Sequence, residues 1–188
     1  MSSAREHIIQ ATCELLELQG YHATGLNEII KESGSPKGSL YYYFPGGKEE
    51  LTAESLQYVG RVVEGRIRMN LASIEDPANA IRTFILNIAH NVELSGYRAG
   101  GPITTVAMET ASSSERLREE CRVIYESWQK PFAEKLISGG LPEDRARALA
   151  CMIISSIEGG IILSRTNRSP QPLENVAAQL ALLVEVAR

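Results

Sequence analysis

The chain has 188 residues, 44% of them hydrophobic and 22% charged, with a formal net charge of −4. That balance fits one compact protein or a small module joined to a larger one, gives no sign of disorder, and excludes a generally basic nucleic-acid coat. Three cysteines (Cys13, Cys121, Cys151) are odd in number and far apart, which argues against a disulfide framework and for a reducing, cytoplasmic setting. The first residues lack the layout of a secretory signal, and no apolar run reaches the length of a membrane span, so no membrane partner is expected.

Helical periodicity runs through the whole chain, without strand-like alternation. Ser3 and Glu6 form a capping box, followed by Ile8, Ala11, Leu15 and Leu18 at helical spacing until Gly20. Thr24 is placed to cap a second short helix with Leu26, Ile29 and Ile30 on its apolar face, closed by Gly34. Ser35 is placed to cap a third, with Pro36 in its first turn, and "PGG" at 45–47 ends it. A longer helix opens at Lys48 and runs towards Leu71.

The later segments lengthen. Helices are expected from Pro77, around Thr104 to Thr110, from Ser114 past Pro131, from Pro142 to about Arg165, and from Leu173 to Ala187. "SGYRAGGP" at 95–102 is a glycine-rich loop. The expected fold is all-α with about nine helices: an N-terminal three-helix module, residues 1–47, and a C-terminal helical bundle, residues 48–188.

The stretch "SPKGSLYYYFPGGKEEL" carries the functional argument. With Leu40 and Phe44 turned inward, ~100° per residue puts Gly38 and Tyr42 on the outer face and Ser39 and Tyr41 on its shoulders. Two short helices joined by a Gly34-Ser35 turn are the makings of a helix-turn-helix. An outer face of Gly, Ser and Tyr suits a DNA major groove, with Lys37, Ser39 and Tyr42 placed to read base edges. Tyrosine hydroxyls, Thr24 and Lys48 suit phosphates. Against this stands the local charge: residues 1–50 carry four Lys/Arg and seven Asp/Glu, so specific donors rather than the bulk field must bring the module to DNA.

"ATGLNEIIKESGSPKGSLYYYFPGGKEEL" resembles the DNA-binding end of the TetR family of bacterial transcriptional repressors. The resemblance puts Thr24, Tyr41, Tyr43 and Lys48 at phosphate-contacting positions and Lys37, Gly38, Ser39 and Tyr42 at groove-facing ones. Pro36 stands where the family usually has Ser or Thr, and "PGG" adds a residue before Lys48. Both features, with "GGPITTVAMET", resemble the LmrA/YxaF-like branch. The resemblance implies a homodimeric regulator on a palindromic DNA operator, responsive to a small apolar or aromatic, flavonoid-like effector and acting in the bacterial cytoplasm.

For the effector the sequence offers Met108, Cys121, Tyr125, Trp128, Phe132 and Met152, residues that line apolar pockets but also fill cores. Arg98 or His90 is a candidate to orient a polar group of that ligand. The stripe Leu149, Ala150, Ile153, Ile154, Ile157 and Ile161, with Val176, Ala177, Leu180, Leu183 and Val184, reads as intramolecular core. The resemblance adds a four-helix dimer interface, for which Ile153, Ile154, Ile157, Ile161, Val176, Leu180 and Leu183 are the candidates.

Enzyme chemistry finds no support. "GGK" is followed by Glu49, and Tyr42 stands where a phosphate loop needs glycine. His7, His22 and His90 lack metal-ligand spacing, so neither metal nor cofactor is expected. The alternative is a dimeric helical ligand-binding or adaptor protein without DNA binding.

Overall fold

The computed structural model describes residues 3–187. Among them are nine α-helices and no strand: α1 (Ala4–Ala23), α2 (Leu26–Ser33), α3 (Lys37–Tyr43), α4 (Gly47–Ala72), α5 (Pro77–Leu94), α6 (Pro102–Thr110), α7 (Glu115–Ser138), α8 (Glu143–Asn167) and α9 (Gln171–Ala187). The helices divide into two compact units, Met1–Arg61 with Gly101–Ile124, and Val62–Gly100 with Tyr125–Arg188. This packing division brings α6 and the start of α7 into the same unit as the first three helices.

In the first unit, both halves of the capping box form: the Ser3 amide donates to Glu6 Oε2 at 2.8 Å and the Glu6 amide to Ser3 Oγ at 3.3 Å. The inward face of α1 is Ile8, Ile9, Thr12, Leu15 and Leu16. Leu18, expected on that stripe, is 57% exposed. At ~100° per residue Thr12 lies near the centre of the inward face and Leu16 on its flank, so Leu18 falls on the far side. Gly20 breaks the helix at φ 79°, after which one further turn reaches Ala23.

Two expected caps differ. Gly25, not Thr24, is the N-cap of α2, and Pro36, not Ser35, that of α3. Thr24 is buried and its hydroxyl donates back to the Gly20 carbonyl at 2.7 Å. Ser35 is buried, and its amide is taken by Ser33 Oγ at 3.3 Å. Thr24 thus prefers a nearby backbone carbonyl over the helix that follows, while the Ser35 hydroxyl donates to the Ala4 carbonyl at 3.5 Å, in the first turn of α1. Gly34 closes α2 in the left-handed conformation, φ 61°.

The second unit holds α5, α8 and α9, with α5 packed most extensively on α9. Asp76 caps α5 through the Asn79 amide at 2.8 Å, with Pro77 following. Gly160 allows close approach of α9, since a Cβ there would lie 2.8 Å from Leu173 Cδ2. One sequence expectation needs correction here. Among the described residues, the 25-residue α8 is long and apolar enough by composition to cross a membrane. It passes because charges interrupt it rarely, yet Ala146, Ala150, Ile153, Ile157 and Ile161 face the core of its own unit.

The three cysteines are free. Burial pushes the Cys13 thiol up to about 12, with the Ser55 hydrogen bond lowering it in part, and the Cys121 thiol up to about 11. Both stay protonated, and therefore poor nucleophiles, near neutral pH.

Candidate nucleic-acid interface

The seven-residue α3 is anchored from beneath. Leu40 and Phe44 are both 0% exposed and join Ile8, Ile9, Leu15, Ile29 and Leu51 in one apolar cluster. The guanidinium of Arg5 lies 5.6 Å from the Phe44 ring centroid and is paired with Glu54. Burying those two side chains turns the opposite face outward. Tyr42 is 79% exposed, Lys37 and Gly38 are exposed, and Ser39 lies at the half-buried shoulder. Tyr41 and Tyr43 flank this face, and Tyr42 stands edge-on to Tyr43 with ring centroids 5.1 Å apart. The outer surface is stiff, small and polar-tipped, as groove entry requires.

Thr24 does not share this surface. Its hydroxyl proton is given to Gly20, which leaves none for a phosphate oxygen; this corrects the expectation of a Thr24 side-chain contact. Lys48 is half-buried, and its Nζ rests 4.4 Å from the Tyr21 ring centroid and 3.5 Å from the His22 carbonyl. Partial burial lowers its pKa, an effect opposed by the charge of Glu109. The extra residue in "PGG" is accommodated by Gly47 at φ 72°, and the Gly46 amide donates to Glu50 Oε2 at 2.7 Å.

Sequence reasoning missed what steadies this head from behind. Glu109 of α6 accepts the His22 amide at 2.8 Å, and Ser114 donates to Glu49 Oε1 at 2.5 Å while capping α7. These partners are 87 and 65 positions apart, and no local pattern marks them.

The expected effector residues differ in exposure. Met108 is 77% exposed, and Met152 lies on the outer side of α8 beside α9. Cys121, Trp128 and Phe132 are buried as core, with Tyr125 edge-on to Trp128 and Phe132 edge-on to Phe84, each pair at 5.6 Å. Arg98 and His90 are exposed. The subunit-interface expectation also changes. Ile153, Ile154, Ile157, Ile161 and Leu180 are buried within the chain itself, because α8 and α9 use that stripe against their own unit. Val176 and Leu183 remain accessible and, with Met152, Leu180, Leu182 and Val186, line an open groove of about 590 Å³ along α8 and α9.

A three-helix head that buries one face of its third helix and displays the other is the arrangement of a helix-turn-helix module. Residues 8–54 match the model of bacterial regulatory proteins of the TetR family, and residues 77–179 match the C-terminal domain of LmrA/YxaF-like transcriptional regulators. The chain is 46% identical to the HTH-type transcriptional regulator YxaF of Bacillus subtilis, over 96% of this chain and 95% of that one. It is 40% identical to the regulator LmrA of the same organism, over 93% of each. A TetR regulatory protein from Rhodobacter sphaeroides has the same fold, with a TM-score of 0.86 at 24% identity over 96% of this chain and 98% of that one. The protein belongs to the TetR family of transcriptional regulators, in its LmrA/YxaF-like branch.

Proposed function

We propose that the protein is a homodimeric, ligand-responsive repressor that binds a palindromic operator by setting α3 of each subunit into a major groove. One observation carries this reading: Tyr42 is 79% exposed while Leu40 and Phe44 of the same short helix are fully buried. Lys37, Gly38, Ser39 and Tyr42 read the groove, and Tyr41, Tyr43 and Lys48 hold phosphates on either side. Lys48 leaves the Tyr21 ring to do so. Residues 1–47 serve as the DNA-binding part and residues 48–188 as the ligand-binding and dimerisation part, working in the bacterial cytoplasm where the operator is.

The apolar groove of α8 and α9 supports pairing of two copies through Met152, Val176, Leu182, Leu183 and Val186. The effector of this reading is apolar and aromatic, flavonoid-like in class. Its binding would favour one tilt of α4 and so one spacing of the two heads, a shift of population that requires unequal affinity for the two states.

Binding to DNA upstream of the protein's own coding region, with random DNA as control, tests the reading. A sequence-dependent, salt-sensitive complex is expected, and its absence would leave a helical ligand-binding or adaptor protein. Tyr42→Ala should cost about 1–3 kcal/mol on cognate DNA and relax sequence preference. An unchanged preference would remove Tyr42 from the reading face. Lys48→Ala should weaken all sequences alike and lower the slope of log affinity against log salt by about 1. A change in preference at constant slope would overturn the phosphate assignment.

A further inference from the structure

A second polar recess lies in the first unit, where α1, α4 and the start of α7 meet, with a volume of about 590 Å³. The unit contains five arginines: Arg5, Arg61, Arg116, Arg118 and Arg122. Arg118 and Arg122 are held by Glu115 and Glu119, and Arg5 by Glu54. Arg61 and Arg116 have no carboxylate partner among the described residues, and both line this recess. They come from different helices, 55 positions apart in sequence, and converge through the fold alone.

Of the acidic groups nearby, Glu54 is matched by a cation, Arg5. Glu6 accepts the Ser3 amide and Glu120 the Gln57 side-chain amide at 2.9 Å; these neutral donors leave both carboxylates their charge, so the oxyanion must sit on the arginine side of the recess. Gln10 adds a further neutral donor to the lining, and Ile9 and Tyr58 supply apolar wall. Two like charges facing one recess repel each other, and an oxyanion between them relieves that repulsion. The planar guanidinium fork matches phosphate oxygens better than it matches chloride or a single carbonyl.

We infer that this recess binds a phosphate-type oxyanion carried by a small molecule, with Arg61 and Arg116 as the charged donors and Gln10 beside them. A concave lining walled by Ile9 and Tyr58 suits a discrete phosphate ester with a small organic body. A duplex backbone would instead need donors along an open ridge.

Calorimetric titration of the full chain with inorganic pyrophosphate, in low-salt buffer, tests the assignment. One saturable site per chain is expected, weakened at least about tenfold in the Arg61→Gln, Arg116→Gln double variant. Arg82→Gln, which alters an exposed arginine of the other unit, should bind as the parent does. No saturable binding, full affinity in the double variant, or equal weakening by Arg82→Gln would each overturn the site. Matching far-ultraviolet spectra and melting curves for all variants guard against loss of fold. Upstream-DNA binding distinguishes the source of the phosphate. An unchanged salt slope in the double variant supports a free small molecule. A slope lowered by about 2 would assign both arginines to the operator backbone and overturn the small-molecule reading.

Discussion

Phe44→Ala should lower the unfolding free energy of the head by about 3–5 kcal/mol, the range for truncating a fully buried aromatic ring. The ring is 0% exposed at the end of α3 and packs among residues from α1, α2 and α4. Its removal deletes apolar contact with all of them, leaves a void that short helices on tight turns cannot close, and takes away the surface beneath the Arg5 guanidinium. Trp128 belongs to the other unit, so its fluorescence would not report this event directly. Hydrogen exchange in α1 to α3 under increasing urea is the suitable measurement. Tyr41→Ala, at a position 47% exposed, is the contrast and should change stability by less than about 1 kcal/mol. If the two variants cost the same, the orientation of α3 is not set by its buried pair, and the outward face of Tyr42 loses its physical cause.

What could be read from the sequence was whatever short-range geometry decides. The Ser3–Glu6 box, the Pro77 start of α5, the Gly34 stop and the Leu40/Phe44 register all lie within four residues of their causes, and each is present. Thr24 and Ser35 show where local reasoning branches. The Thr24 hydroxyl turns back to the Gly20 carbonyl four positions before it, and the Ser35 hydroxyl donates to the Ala4 carbonyl, 31 positions away, so the fold rather than the following helix selects each partner. The stripe on α8 shows a different boundary. Periodicity says which side of a helix avoids water but not what covers it, and Ile153, Ile154, Ile157 and Ile161 are covered by their own chain. Met108 and Met152 were grouped with Trp128 by composition alone, and composition carries no direction. Glu109 was illegible for a simpler reason: its partners arrive from 87 positions away.

That remote contact sets the second large effect. Gly20→Ala should destabilise the head by about 2.5–6 kcal/mol, through two separable causes. The first is backbone conformation. Gly20 has φ 79° and ψ −176°, a region open essentially to glycine alone, and forcing alanine into it costs about 1–3 kcal/mol. The second is space. A Cβ at this position would lie 2.2 Å from Glu109 Oε1 and 2.9 Å from Thr105 Cγ2. The carboxylate can swing away, but doing so frees the His22 amide it accepts at 2.8 Å, and a hydrogen bond to a charged group contributes about 1.5–3 kcal/mol. Chemical denaturation of Gly20→Ala, Glu109→Ala and the double variant separates the two. Once Glu109 is already gone, the glycine substitution should still cost the backbone share, about 1–3 kcal/mol, together with the shift of the Thr105 methyl that a Cβ 2.9 Å away requires. Full recovery in the double variant would mean that crowding alone fixes this glycine. A single Gly20→Ala chain as stable as the parent would mean that the break between α1 and its last turn is not held by α6. The Lys48 ammonium, which rests on the Tyr21 ring and the His22 carbonyl of that same turn, would then lack a fixed platform.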